Sequence, residues 1–101
     1  MLESEFNKLA NQELNYLLEK IESQLIEDNC DIDLLDGILY IKLKNSSEYV
    51  INKHGPSKQI WLSSPISGGL HFIYSSAQAR WISSSDLELR EIIAKELGIT
   101  I

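Results

Sequence analysis

The side chains with the most chemical potential in this sequence are carboxylates, and they are concentrated in its first third. Residues 1–36 carry ten acids against two lysines, a net charge of −8, whereas residues 37–85 carry +4 and residues 86–101 carry −2. Carboxylate oxygens suit hard cations, and clustering them lowers the local potential. The acidic third therefore favours cations or basic protein surfaces as ligands, and it argues against nucleic acid and anionic membrane as partners.

The acids do not form a recognisable preformed metal cage. The sequence has one cysteine, Cys30, and two histidines, His54 and His71, and it has no EF-hand loop. A cation is therefore expected to bind weakly, at exposed and poorly selective sites. The alternative is that these acids only solvate the outer face of a helix.

Covalent catalysis has little support in the sequence. Ser63, Ser64 and Ser67 lie in one segment, but no Gly-x-Ser-x-Gly elbow contains them, and no acid adjoins either histidine. A lone cysteine is more often a buried, small apolar side chain than a nucleophile. The sequence thus favours a binding protein over an enzyme.

A helix, a run of strands and a second helix must position these residues. Residues 4–27 repeat apolar side chains at steps of three and four, which predicts an amphipathic helix with Ser4 as its N-cap. From 31 to 82 the apolar period is two, and turn-forming residues divide this stretch into an antiparallel meander. Residues 86–97 return to the helical period, with a capping box predicted at 85–88 and Gly98 at the end.

Two amphipathic helices that bracket one sheet must both bury their apolar faces. Laying both on one side predicts an α+β, two-layer sandwich in which residues 1–101 form a single domain, and it leaves the other side of the sheet uncovered. Because Ile60 and Leu62 are needed by the core, strand alternation turns Trp61 outward. The same alternation places further polar and apolar side chains beside it: Val50, Asn52, Gln59 and His71.

The two tryptophans are therefore expected to differ in role. A large aromatic side chain among hydrogen-bonding groups has the composition of an interface anchor, so Trp61 is a candidate docking residue. Packing of Trp61 against neighbouring loops is an equal alternative, since tryptophan is usually mostly buried. Trp81 is expected to be the more structural of the two.

The segment from Tyr49 to Gly69, YVINKHGPSKQIWLSSPISGG, strongly resembles the signature of the frataxin family. The downstream GGLHF and the opening SEFNKLANQ are similar to the bacterial branch of that family, often called CyaY, so the resemblance covers essentially the whole chain. It implies the frataxin fold and weak, transient binding of iron as Fe2+ or Fe3+. It also implies contact with the cysteine desulfurase and the scaffold protein that build iron–sulfur clusters.

Carried over residue by residue, the resemblance implies two groups of site residues. The metal-binding acidic ridge of the first helix and first strand falls on Glu19, Glu22, Glu27, Asp28, Asp31 and Asp33. The partner-binding contacts of the sheet surface fall on Asn52, Lys53, Gln59, Trp61 and His71. Two functions stay open. One is a regulator or iron donor that docks on the desulfurase–scaffold complex; the other is an iron store or ferroxidase that works through its acids alone.

The expected location and oligomeric state depend on weaker signals. The opening MLESEFNKL carries two acids and no basic start before an apolar stretch, which argues against a secretory signal or a transit peptide. A single cysteine suits a reducing compartment. We therefore expect a cytoplasmic protein that is mainly monomeric, with oligomers possible when iron drives them.

Overall fold

The computed structural model describes residues 1–25 and 30–101, which form one layer of helices and one layer of strands. Helix α1 spans Glu3–Leu25 and helix α2 spans Leu89–Leu97. The strands are β1 (Asp31–Leu35), β2 (Ile38–Lys42), β3 (Glu48–His54), β4 (Gln59–Ser64), β5 (Gly68–Ser75) and β6 (Arg80–Ser83). The predicted α+β, two-layer sandwich is confirmed.

The sheet is a simple meander in which the strands pair in chain order and every pair is antiparallel. Its tightest connection is the β1–β2 turn, where Asp36 and Gly37 have φ angles of 52° and 75°. Two successive left-handed residues are typical of a type I′ hairpin turn, which Asp-Gly sequences favour. A Cβ atom at Gly37 would lie 3.2 Å from Cε of the flexible Lys53 side chain, which would have to shift slightly, and the φ of 75° strains any residue other than glycine.

The core lies between the helices and one face of the sheet. Helix α1 contributes its three- and four-residue stripe, Phe6, Ala10, Leu14, Leu17 and Ile21, and helix α2 contributes Leu89 and Ile93. The strands contribute alternate residues, Leu39, Ile41, Tyr49, Ile51, Ile60, Leu62, Phe72 and Trp81. Burying one large apolar side chain stabilises the fold by about 1.5–3 kcal/mol. The strands therefore cannot be turned over without exposing this whole set, and the predicted inward orientation of Ile60 and Leu62 is confirmed.

A partly buried ion pair joins the two helices. Arg90 donates through Nε and Nη2 to the two carboxylate oxygens of buried Glu13, at 3.0 and 2.8 Å. The guanidinium carbon also lies 3.9 Å from the centroid of the Tyr16 ring. Two parallel hydrogen bonds of this kind are stronger than one, and they raise the pKa of Arg90. Glu13 is thus a structural acid and is not available to a cation.

A second carboxylate ties helix α2 to strands β3 and β4. Oε1 of Glu96 accepts hydrogen bonds from the hydroxyls of Tyr49 at 2.8 Å and Ser64 at 2.6 Å. Burial alone would raise the pKa of Glu96, but hydrogen bonds from Ser64, Ser67 and Tyr49 outweigh it and lower that pKa. Burial, together with the hydrogen bond to Glu96, raises the pKa of Tyr49 to about 12.

Helix α2 begins later than predicted, and the predicted capping box at 85–88 is wrong. Glu88 forms an isolated β-bridge with Ile82, so the chain is still extended there and helical geometry starts only at Leu89. Glu88 is the N-cap, and its carboxylate accepts the backbone N–H two residues along. Ser85 does not cap the helix; its backbone N–H donates to the hydroxyl of Ser83.

The remaining helix ends agree with the sequence patterns only in part. Helix α1 starts at Glu3, so Ser4 lies inside it rather than at its N-cap. Gly98 ends helix α2 as predicted, in the left-handed conformation with φ of 67°. Neither helix of the described ranges is both long and apolar enough to cross a membrane.

Replacing Glu96 by glutamine should test the tie between α2 and the sheet. Hydrogen bonds to a charged group contribute about 1.5–3 kcal/mol, so we expect Glu96→Gln to lower the free energy of unfolding at pH 7 by about 1–2 kcal/mol. The folded-state pKa lies below the ordinary value of 4.5. The stabilisation is therefore present above that value and is lost as the pH falls through the lowered pKa. Urea titrations from pH 7 to pH 3 should show the difference between the two proteins shrinking.

Glu91 offers a matched control on the same helix because its side chain is 72% exposed. Glu91→Gln should change the free energy of unfolding by less than about 0.5 kcal/mol. If Glu96→Gln has the same cost at pH 7 and at pH 3, the ionised carboxylate is not what stabilises this part of the fold.

Candidate functional site

The sheet face opposite the helices is not covered by any described residue, and strand register determines which side chains share it. One row across the strands runs through Ile38, Asn52, Trp61 and His71. The next row runs through Asp33, Tyr40, Val50 and Ser63. All eight side chains are exposed or half-buried. Residues that alternate with them along the middle strands are in the core: Leu39, Ile41, Tyr49, Ile51, Ile60, Leu62 and Phe72. We call this side of the sheet the open face.

Trp61 is the middle ring of three on the open face. The ring centroid of His54 lies 3.7 Å from that of Trp61 with an interplanar angle of 11°. On the other side, the centroid of His71 lies 4.2 Å away with an angle of 8°. The indole Nε1–H donates to Gln59 Oε1 at 2.7 Å, and His54 Nδ1 lies 2.6 Å from Ser57 Oγ. This set, His54, Trp61 and His71, is the ring stack, and it holds the half-buried indole in one orientation.

The structure brings together all but one of the predicted partner-binding residues. Asn52, Gln59, Trp61 and His71 lie on the open face, as predicted. Lys53 does not, because alternation puts it on the helix side of β3, where its side chain lies against Gly37. The sheet itself therefore separates Lys53 from the ring stack.

His54 belongs to this site although it was not among the predicted site residues. It follows Asn52 by two positions on β3, so alternation alone places it on the open face. It is the diagonal neighbour of Trp61, and aromatic side chains reach each other across such diagonals. The signal for its position was in the sequence, but stacking also depends on rotamers that the sequence does not specify.

The acidic ridge lies at the β1 edge of the sheet and is divided between two surfaces. Asp31 and Asp33 are exposed and lie on the open face, opposite Lys42 and Tyr40 of β2. The two ridge acids of helix α1, Glu19 and Glu22, are exposed and lie in the other layer, which packs against β1 from behind. The predicted ligands Glu27 and Asp28 lie outside the described residues. The ridge therefore follows the rim of the sandwich and does not enclose a cavity.

The described acids do not converge on a metal site. Within residues 1–25 and 30–101, no group of three or more His, Cys, Asp or Glu side chains could hold a metal ion. Exposed carboxylates attract a cation across high-dielectric water, where the interaction between two charges 4 Å apart is only about 1 kcal/mol. The all-oxygen donors still fit a hard cation such as iron, as diffuse and weak binding rather than as a cage.

Fold and site together define a small α+β domain with an acidic rim and an aromatic open face. The frataxin-like domain family matches residues 1–101, and the chain belongs to the frataxin family. The mitochondrial frataxin of Arabidopsis thaliana is 40% identical over 99 residues, which cover 94% of this chain and 53% of that protein. The mitochondrial frataxin of Dictyostelium discoideum is 33% identical over 97 residues, covering 92% and 50%. The chain thus spans about half the length of these curated relatives.

Solved structures of frataxins share this fold. A frataxin from Psychromonas ingrahamii, described within the CyaY protein family, has a TM-score of 0.71 and 30% identity, covering 100% of this chain and 96% of that one. A trimeric frataxin from Saccharomyces cerevisiae, described as complexed with ferrous iron, has a TM-score of 0.78 and 32% identity, covering 89% and 82%. As a family, frataxins are associated with iron and with iron–sulfur cluster biogenesis. The predicted family and fold are confirmed.

Truncating each tryptophan should distinguish the surface residue from the core residue. Trp81 is 2% exposed and packs edge-on against Phe6 and Tyr74, so Trp81→Ala should lower the free energy of unfolding by about 3–5 kcal/mol. Trp61→Ala removes two ring contacts on the open face, each worth about 0.5–1.5 kcal/mol, and should cost about 1–3 kcal/mol. Urea unfolding followed by circular dichroism measures both. A loss for Trp61→Ala that equals the loss for Trp81→Ala would contradict its surface position.

Proposed function

We propose that this protein acts in iron–sulfur cluster assembly by docking its open face on the complex of cysteine desulfurase and scaffold protein, as a regulator or iron donor. The observation that carries the proposal is the half-buried, oriented indole of Trp61 on the open face, among neutral hydrogen-bonding side chains. Membership of the frataxin family supports the link to iron–sulfur clusters. We further propose that it works in the cytoplasm, mainly as a monomer that iron can drive into oligomers, without nucleic acid or membrane as a partner.

The open face has the composition of the centre of an interface. Such centres are depleted in charged residues and enriched in tryptophan, with polar groups around the anchor. Around Trp61, the neutral amides of Asn52 and Gln59 fit this description. Because the ring stack already fixes the indole, less side-chain freedom is lost when a partner binds.

The acidic ridge is proposed as the iron-binding part of the same protein. Its four described carboxylates are exposed and lie along one rim, so they can hold iron weakly and release it to a partner docked on the adjacent open face. Asp31 and Asp33 lie on the same sheet face as Trp61, so iron held by these two carboxylates would lie on the face that contacts the partner.

Iron storage or ferroxidase activity is a second candidate function, and one observation favours it. The similar frataxin from Saccharomyces cerevisiae is described as trimeric and as complexed with ferrous iron. This function would need the carboxylates of the ridge and an oligomer to bring several ridges together, but it would not need Trp61. The two candidates therefore differ in which residues they require.

Neutralising the ridge should weaken iron binding without unfolding the protein. The variant Glu19→Gln, Glu22→Gln, Asp31→Asn, Asp33→Asn removes four exposed charges, and Fe2+ titration by calorimetry under anaerobic conditions should show at least about tenfold weaker binding. A matched control neutralises four exposed acids elsewhere: Glu3, Glu5, Asp36 and Asp86. Equal iron affinity in the two quadruple variants would refute the ridge as the binding site.

Removing the indole should separate the two candidate functions. We expect Trp61→Ala to keep its iron affinity. Its binding to the purified desulfurase–scaffold complex should weaken by about 2 kcal/mol or more, which is about thirtyfold in the dissociation constant, because central tryptophans are typical hot spots. Ile66→Ala is the control, because Ile66 is 70% exposed in the β4–β5 connection, outside the ring stack. If Trp61→Ala binds the complex and supports cluster assembly as the unaltered protein does, the docking proposal is wrong, and iron storage through the acidic ridge is favoured.

A further inference from the structure

The part of the sheet that holds the ring stack contains no carboxylate. Residues 49–85 form most of β3 and all of β4, β5 and β6, and they include no Asp or Glu. The nearest acid along β3 is Glu48, at the other end of the strand from His54 and about 20 Å away at 3.4 Å per residue. The charged groups of this segment are all basic: Lys53, Lys58 and Arg80.

Distance and screening separate the ring stack from the acidic ridge. Strands β1 and β4 are three positions apart in the sheet, which is about 14 Å at 4.8 Å per strand. The Debye length at physiological ionic strength is about 8 Å, so the ridge has little effect on the potential at Trp61. Between them, Lys42 lies on the open face of β2. On the far side, Arg80 is paired with Glu88, the N-cap residue of helix α2, and with Glu91 inside that helix.

The geometry of the stack limits what it can bind. Both faces of the indole are covered by imidazoles, and its N–H is already donated to Gln59, so a partner can reach the indole only at its edge. Edges of aromatic rings carry the positive part of the quadrupole. Among the described residues, the one hydrogen-bonding partner of either imidazole is Ser57, at Nδ1 of His54. Ser57 Oγ itself donates to Gln59 Oε1 at 3.1 Å, so it accepts from Nδ1–H of His54. Nε2 of His54 donates to an acceptor brought by a partner when the imidazole is protonated, and His71 offers one N–H when neutral and two when protonated.

We infer that the ring stack docks an acidic segment of a partner protein edge-on, with carboxylate oxygens accepting from the imidazole N–H groups of His54 and His71. This inference rests on the proposed function, since it names the chemistry of the partner surface that the open face recognises. It makes His54 a specificity-determining residue. The two surfaces of the protein then take ligands of opposite charge, with cations at the ridge and carboxylates at the stack.

Two short peptides of opposite charge test the inference on the full chain. Acetylated and amidated hexaglutamate is titrated at physiological salt, with hexalysine as the matched probe, and nitrogen-15 NMR follows the two indole Nε1–H signals and the histidine side chains. Hexaglutamate should shift the signals of Trp61, His54 and His71 and leave the buried Trp81 signal in place. Hexalysine should shift signals at Asp31 and Asp33 instead.

The pH dependence of binding identifies the imidazoles as the recognising groups. A protonated imidazole makes stronger hydrogen bonds to a carboxylate, so hexaglutamate should bind about threefold or more tightly at pH 5.5 than at pH 7.5. His54→Gln and His71→Gln keep a polar side chain but cannot become charged, and each should reduce this dependence. Lys58→Gln should weaken binding at both pH values without changing their ratio. Equal affinity at the two pH values, or hexaglutamate shifts that avoid the stack, would overturn the inference.

The proposed function and this inference can fail separately. If the desulfurase–scaffold complex binds Trp61→Ala normally while hexaglutamate still binds the stack, the proposed function is wrong and the inference stands. If the complex requires Trp61 but binds His54→Gln with unchanged affinity and pH dependence, the inference is wrong and the proposed function stands.

Discussion

Burial of one sheet face beneath both helices is the constraint on which the rest of this structure depends. Strands of period two can give only alternate residues to a core, so every residue buried under the helices leaves its neighbour on the open face. Ile60 and Leu62 are almost completely buried, and Trp61 between them must therefore face outward. The same rule brings Asn52 and His71 into one row with the indole. The outward orientation of Trp61 is thus a direct consequence of where the core lies.

The carboxylates of this acidic chain have two physical roles that composition does not distinguish. Glu13 and Glu96 point into the structure and bind Arg90 and the hydroxyls of Tyr49 and Ser64. These contacts hold helix α2 in the helical layer, and the lowered pKa of Glu96 makes part of the stability dependent on its ionised carboxyl group. The exposed acids of the rim do not hold helix α2 in place and remain available to cations, which fits the frataxin family's association with iron.

Separation of charge along the sheet lets one small domain present two different surfaces. The β1 edge is acidic, whereas the four strands from β3 to β6 contain only Glu48 as an acid. Salt screens these regions from each other, since they are more than a Debye length apart. In the function proposed above, weak iron binding and specific docking can therefore be adjusted independently. The preorganised ring stack favours docking, and the open arrangement of the rim favours release of the ion.

The sequence by itself determined the fold class and the side of the sheet on which Trp61 lies, because both follow from local periodicity. It also determined the acidity of the rim and the end of helix α2 at Gly98. The late start of that helix was decided by the tertiary structure, since the bridge between Ile82 and Glu88 keeps the chain extended. The tertiary structure also decided three further features: the ring stack, the Glu13–Arg90 pair and the position of Lys53 on the helix side of β3. Each depends on strand register, on rotamers or on contacts between distant residues, and local periodicity specifies none of these.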